Sequence, residues 1–326
     1  MSRGNTLIIP PYPGEFGWEL MNWQGRVRRV IRESDSARVY VVAPPDRRAL
    51  YSDLIDGRVV RFCPMPRHEW TGDANDDHRI DGSGSAIPPS TLESELRQAT
   101  AGHLAILGVH TEGATWYMPG FRSELCPATC AEQDFVSLRK QPDTRTDVVL
   151  VPRGRALASE RNQPETWWQE LAERLRKRGL SVAMYAGRMD RAILQLSGAR
   201  LAAGASTGGL HLASLCGCPH YVWGAGAEER WTAIRMTNRQ RYETVWNPLG
   251  TPCIYDEVGW RPSLEHATAG ILRAIQKIGA SRYGEARRSM GARWRVRRGL
   301  ARVLEPGAGR NVVPWRVREF VRNHLV

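Results

Sequence analysis

The sequence predicts an α/β protein built from two doubly wound domains, on three observations. Strand and helix patterns alternate through the first third of the chain. A second alternating run begins at Asp147. Between 201 and 224 a strand, a turn of small residues, a helix and a further strand follow one another without a spare residue.

In the first run, 6–11 reads as a strand and a loop leads through Phe16 into a helix over 17–32. A strand at 37–43, a helix after Pro45 and a strand at 58–63 come next. Residues 64–90 are rich in Pro, Gly, Asp and His, the composition of a long excursion that carries function or moves. A helix is expected from Thr91 and an apolar strand over 104–109. The second run has a strand at 148–152, an Arg- and Ser-rich loop, a helix over 164–178 opened by Pro164, and a strand at 180–186. The unit at 201–224 follows, with a final helix over 263–277. Domains are therefore expected at 1–142 and 143–281, facing each other across a cleft, with a separate tail at 282–326. No internal repeat has a fixed period.

Composition narrows the function. With 326 residues and 42% hydrophobic content the chain can bury a sizeable core. No apolar run reaches the ~18 residues that span a bilayer, and no signal peptide precedes the first strand. The expectation is a cytoplasmic protein, peripheral at most to the inner membrane face. The six cysteines, Cys63, Cys126, Cys130, Cys216, Cys218 and Cys253, are too sparse for a disulfide scaffold and read as reduced thiols. The pairs Cys126/Cys130 and Cys216/Cys218 lack the two-residue spacer of a metal clasp. Asp46, Asp53, Asp76, Asp77 and Asp81 form no metal cluster, and there is no Asp-X-Asp metal–nucleotide signature, so neither a metal nor a cofactor is expected. The sequence has no G-x-G-x-x-G at its first strand–helix turn and no Walker A motif, which disfavours dinucleotide oxidoreductases and ATPases.

The net charge of +12 is concentrated at one end. Residues 282–326 hold twelve arginines against Glu285, Glu305 and Glu319, which leaves only +3 for the rest of the chain. Two helices are expected there, over 287–304 and 314–326. Arginines interleaved with Trp294 and Trp315 suit an anionic membrane surface or a nucleic-acid backbone, or the helices pack on the body with a solvated basic face.

Three loops at carboxyl ends of predicted strands carry the candidate chemistry. In the first, Gly14 and Gly17 permit a sharp turn and two carboxylates stand near a helix start. Glu15 is the candidate general base; Glu19, one turn on, is the partner of the helix dipole and the alternative base. In the second, Arg153 and Arg155 flank Gly154 directly after a strand and can hold a diphosphate, or they belong to a solvated loop. In the third, Ser206 and Thr207 offer hydroxyls at a helix N-cap, Gly208 and Gly209 clear side chains from the backbone N–H groups, and His211 can donate to a phosphate. The competing reading of this third loop is an ordinary turn whose glycines permit close packing.

Residues 147–224 resemble the C-terminal half of a GT-B glycosyltransferase, particularly the heptosyltransferase-like group, glycosyltransferase family 9. The likeness rests on the helix carrying Trp167-Trp168-Gln169-Glu170-Leu171-Ala172 and on Thr207-Gly208-Gly209-Leu210-His211-Leu212-Ala213, which is similar to the family's Ser/Thr-Gly-x-x-His-Leu-Ala element. The Gly14-Glu15-Phe16-Gly17 loop is similar in placement to the acid-bearing loop of inverting GT-B fucosyltransferases. The resemblance implies a GT-B fold and an inverting, metal-independent hexosyl- or pentosyltransferase with a nucleotide-diphosphate sugar as donor. Its acceptor hydroxyl would belong to an envelope saccharide, a glycolipid or a modified DNA base. Glu228 and Glu229 are further candidates for the sugar or ribose. The alternative is a non-catalytic nucleotide- or nucleic-acid-binding protein on the same scaffold.

Overall fold

The computed structural model describes residues 6–55, 60–66, 89–118, 133–142, 144–154, 159–226 and 237–280. The expectations for Arg155, Glu228, Glu229, Cys126, Cys130 and the tail at 282–326 lie outside the described residues. The chain divides into two compact units, Met1–Ser123 and Glu124–Val326.

The first unit is built on four parallel strands: β1 (Thr6–Ile9), β2 (Arg38–Ala43), β3 (Val60–Pro64) and β4 (Thr115–Trp116). Their order is β3-β2-β1-β4. Ile8, Ile9, Val41 and Val42 are buried, as a sheet covered on both faces requires. The helix expected after β1 is present but not uniform: α1 (Phe16–Trp18) passes through a π-helical stretch, Glu19–Trp23, into α2 (Gln24–Glu33). After β2 come a 3₁₀ turn, Pro45–Leu50, and α3 (Ser52–Ile55).

The strand expected at 104–109 is not formed. Residues 104–106 end α4 (Pro89–Ile106) instead. Leu96, Thr100 and Leu104 are fully buried at four-residue spacing whereas Ile106 is 84% exposed, which is helical rather than alternating burial. Gly108 then takes φ +72° and the Val109 N–H closes on the Leu104 carbonyl at 2.9 Å, stopping the helix.

The second unit has β5 (Thr146–Val151), α5 (Glu165–Arg176), β6 (Val182–Met184), α6 (Met189–Gly198), β7 (Ala199–Ala205) and α7 (Gly208–Leu215). It continues with β8 (His220–Trp223), α8 (Asn238–Thr244), β9 (Cys253–Asp256) and α9 (Leu264–Ala280). The strands are parallel, in the order β6-β5-β7-β8-β9. Leu150, Leu201, Ala203, Tyr221 and Trp223 pack with Trp168, Leu171 and Leu175 of α5 and with Ile271 and Ile275 of α9 in one core. The sequence analysis did not identify α6, α8 or β9. The α/β class expected from the sequence holds in both units.

Candidate functional site

In the second unit the chain runs from β5 to β6, then returns to the other side of β5 for β7. The connections leaving β5 and β7 therefore depart in opposite directions, and a crevice opens beyond the strands' carboxyl ends. Val151 of β5 is in register with Gly204 of β7. Arg153 and Ser206 thus stand two residues past the same rung, on adjacent strands.

Arg153 is only 5% exposed, and its Nη1 donates to Asn162 Oδ1. This bond ties the residue two past β5 to the one that follows the 3₁₀ turn at Ser159–Arg161. A charged guanidinium kept this far from water favours an anionic partner.

Thr207 occupies the N-cap of α7 in extended conformation, φ −158° and ψ 164°, yet its side chain makes no cap hydrogen bond. Its carbonyl instead accepts from the Leu210 and His211 N–H groups at 3.0 and 3.3 Å. The Ser206 hydroxyl is no cap either; it accepts from Tyr242 OH at 3.1 Å. Neither hydroxyl caps the first turn of α7, although the Tyr242 hydroxyl bonds the Thr207 backbone, and the positive dipole end of the helix suits a bound anion.

Gly209 is also required by packing. A Cβ there would lie 2.6 Å from Val151 Cγ1 and 3.4 Å from the Tyr185 ring. Its missing side chain admits the strand beneath the helix. For this glycine the packing reading holds.

His211 is 6% exposed and lies against two rings, 5.3 Å from Tyr242 and 4.9 Å from Trp246. Its Nδ1 is buried without a hydrogen-bond partner. Burial, reinforced by His220 and Arg241, pulls its pKa down to about 3, so the ring is neutral near pH 7. Burial likewise lowers His220 to about 4, although its Nδ1 bonds the Cys218 carbonyl at 3.0 Å. Both folded values lie below the ordinary 6.5, so on acidification the unfolded chain takes up protons that the native state refuses. Stability is complete above about pH 6.5 and falls toward pH 4 at a limiting rate of about 1.4 kcal/mol per pH unit for each histidine. Urea unfolding at pH 7 and pH 5 should show the loss, and His220→Phe should lessen it. Equal stability at both pH values would contradict it.

Three residues around His211 escaped the sequence analysis: Arg241 and Tyr242 on α8, and Trp246 just after it. Arg241 is 3% exposed, lies 4.8 Å over the Trp246 ring and donates to Asn238 Oδ1 at 3.3 Å. Burial pulls its pKa down to about 9, which still leaves a cation at neutral pH. The signal for α8 was present as Thr237-x-x-Gln240. It folds as a capping box, with the Thr237 side chain on the Gln240 N–H and the Gln240 side chain on the Thr237 N–H.

In the first unit, Glu15 is half-buried at the N-cap of α1, and its carbonyl accepts the Glu19 N–H at 3.0 Å. Its side chain makes no cap hydrogen bond. Gly14 lets this loop pass over the Tyr12 ring, since a Cβ there would lie 2.7 Å from Tyr12 Cε1. Gly17 is buried within α1.

Glu19 departs from its expected place. It is 4% exposed and bonds Arg47 Nε at 2.6 Å, so its carboxylate serves an ion pair in the interior rather than the helix dipole. Arg47 also binds Asp46 Oδ2 at 2.6 Å and lies 4.5 Å over the Phe16 ring. Burial works against its charge, but Glu19 and Asp46 outweigh it and raise the pKa.

Cys63, Cys216, Cys218 and Cys253 are free thiols, and burial pushes Cys216 and Cys218 well up, the latter to about 12. Among the described residues no three His, Cys, Asp or Glu side chains gather as a metal site would require. No described helix is long and apolar enough to cross a membrane.

No family model matches the sequence, and no curated protein matches it. Among solved structures the chain is similar to E. coli heptosyltransferase WaaC with ADP-2-deoxy-2-fluoro heptose, at 10% identity and TM-score 0.45, over 84% of this chain and 99% of that one. It is also similar to the E. coli ADP-heptose lps heptosyltransferase II, at 14% identity and TM-score 0.43, over 82% and 99% of the two chains. A glycosyl transferase of family 9 from Veillonella parvula gives 10% identity and TM-score 0.45, over 84% and 97%. The solved structures named here are glycosyltransferases.

Proposed function

We propose that the chain is an inverting, metal-independent glycosyltransferase that moves a hexosyl or pentosyl group from a nucleotide-diphosphate sugar to an acceptor hydroxyl. The observation that carries this reading is the switch point between β5 and β7. There a buried guanidinium, Arg153, and a helix N-terminus without a side-chain cap stand on adjacent strands past one rung.

In this reading Arg153, supported by Arg155, binds the diphosphate by charge-assisted hydrogen bonds and neutralises it as it leaves. The N–H groups of Gly208 and Gly209 and the Thr207 hydroxyl hold it from the α7 side. Tyr242 orients the Ser206 hydroxyl, and His211 donates from a neutral ring. Arg241 adds a second buried cation on that side. Glu15 acts as general base. Its carboxylate takes the proton from the acceptor hydroxyl, and the oxygen attacks the anomeric carbon opposite the diphosphate. The bond to the diphosphate breaks with its electron pair on the leaving oxygen, and the anomeric configuration inverts.

The acceptor belongs to an envelope saccharide, a glycolipid or a DNA base, and the basic tail at 282–326 holds the cytoplasmic enzyme to an anionic surface that carries it. Incubating the full chain with UDP-, GDP-, ADP- and CMP-sugars tests the donor class. One diphosphate donor should raise the unfolding temperature and be consumed, whereas the CMP-sugars, which lack a diphosphate, should do neither. A donor that binds and is never consumed with any acceptor would turn the reading toward a non-catalytic nucleotide-binding protein.

A further inference from the structure

The amino ends of the second unit's strands gather positive charge that the fold does not use. The segment before β5 runs across them. Its Leu138 N–H donates to the carbonyl of Leu215, the last residue of α7, at 2.9 Å, and its Lys140 N–H to Ser197 Oγ, near the end of α6, at 3.0 Å. Those helices end where β8 and β7 are about to begin, so Arg139 and Lys140 stand at this edge, and Arg145 directly precedes β5. The helices α5 and α9, packed together in the core, end at the same edge. They bring Arg176 and Lys277 in their last turns, with Arg178 just beyond α5.

All six of these cations are exposed, and none of them meets a carboxylate among the described residues. The nearby acids are taken by other cations: Glu170 by Arg174, Glu173 by Lys177 and Asp147 by Arg200. The helix dipole accounts for Arg176 and Lys277. It does not account for Arg139, Lys140 and Arg145, which belong to no helix. Like charges crowded together repel one another, a cost that an anionic partner relieves.

The chain that continues from this edge indicates which partner. After α9 ends at Ala280, residues 282–326 hold twelve arginines and no lysine, with Trp294, Trp315 and Phe320 among them. Large apolar side chains interleaved with arginine lodge in the headgroup region of an anionic bilayer, whereas a duplex backbone gives them nothing to pack against. We propose that the amino edge of the second unit's sheet docks on a membrane of anionic phospholipid, alongside the chain that continues from Ala280. Arg139, Lys140, Arg145 and Arg178 then face the headgroups. The start of α7, at the other end of the strands, stays on the solution side, about 20 Å away for six residues of β5 at ~3.3 Å each. The proposal shares with the proposed function only the anionic surface assigned to the tail, and it does not depend on the donor site.

The experiment is cosedimentation of the full chain with vesicles of phosphatidylcholine, alone or mixed with phosphatidylglycerol, at low and high salt. Wild type is compared with the triple variant Arg139→Gln, Arg145→Gln and Arg178→Gln, and with lysine at the same three positions. These side chains are exposed and hold no ion pair, so both variants should unfold at the wild-type temperature. Wild type should bind only the mixed vesicles, and high salt should release it. The glutamine variant should bind them about 10²-fold more weakly, for three surface cations, while the lysine variant binds as wild type does. If the glutamine variant loses stability, Lys140→Gln with Lys277→Gln replaces it, with a fall of roughly 20-fold for two cations.

Equal vesicle binding by wild type and the glutamine variants would overturn the proposal and leave the tail as the anchor. No vesicle binding by wild type, or equal binding to neutral vesicles, would also overturn it. So would a weakened affinity for a short DNA duplex with vesicle binding unchanged, which would put nucleic acid on this edge instead. Trp294→Ala with Trp315→Ala tests the tail by itself; binding equal to wild type would remove the tail from the contact whatever the edge does. Binding of UDP, GDP and ADP, measured on the same samples, should not change in any variant. Its absence from wild type would count against the donor site alone.

Discussion

Glu15→Gln is expected to lower transfer by roughly 10²–10⁴-fold while leaving the affinity for the donor nucleotide unchanged, because the amide cannot accept the proton that a general base removes. The substitution is nearly isosteric, and the Glu15 side chain makes no cap hydrogen bond to α1, so the local fold should survive it. Steady-state turnover and donor binding, measured side by side, check the expectation. A loss confined to KM for the donor would place Glu15 among the binding groups. Unchanged turnover would remove it as the base.

Arg47→Leu should destabilise the first unit by about 3–5 kcal/mol, since it strands the Glu19 carboxylate in the interior. The pair is tight, 2.6 Å between Arg47 Nε and Glu19 Oε2, with both side chains under a tenth exposed. Joint replacement of Glu19 and Arg47 by leucines should recover most of the loss, because no uncompensated charge is left behind. Urea unfolding of the two single variants and the double variant gives the coupling directly. If Arg47→Leu costs no more than a surface substitution, the pair does not hold the β1 loop to the turn after β2.

The fold was readable where burial and period agree. The parallel strands show as short apolar runs, and Pro164 marks the start of α5. Reading failed where one apolar run fits two periods. Leu104 to Val109 looks like a strand until Leu104 is aligned with Leu96 and Thr100, which assigns its first three residues to a helix. The helix α8 was missed although its Thr237-x-x-Gln240 capping box was in view, because a polar Asn-Arg-Gln-Arg run shows no amphipathic period. Arg241, Tyr242 and Trp246 were missed with it.

Individual site residues were harder to read than the loops that carry them. Arg153 and the Ser206–Gly209 turn could be placed at strand ends from sequence, and the strand order then makes them neighbours. The use of each residue could not be read in the same way. Gly209 answers to Val151 across the helix–strand interface, Ser206 to Tyr242 and Glu19 to Arg47. All three are long-range contacts that no local pattern encodes. The π-helical stretch Glu19–Trp23 also lies beyond sequence patterning, since the helix around it is regular in composition.

The central claim is that Arg153 and the start of α7 form a diphosphate site. Its most direct test is the rise in unfolding temperature that UDP, GDP or ADP gives the full chain, for wild type and for Arg153→Ala, each against its own ligand-free midpoint. One of the three should stabilise wild type, by about 2.7 kcal/mol at a hundredfold excess over Kd, and the same concentration should leave Arg153→Ala nearly unmoved. No rise with any diphosphate, or an equal rise in both proteins, would contradict the claim.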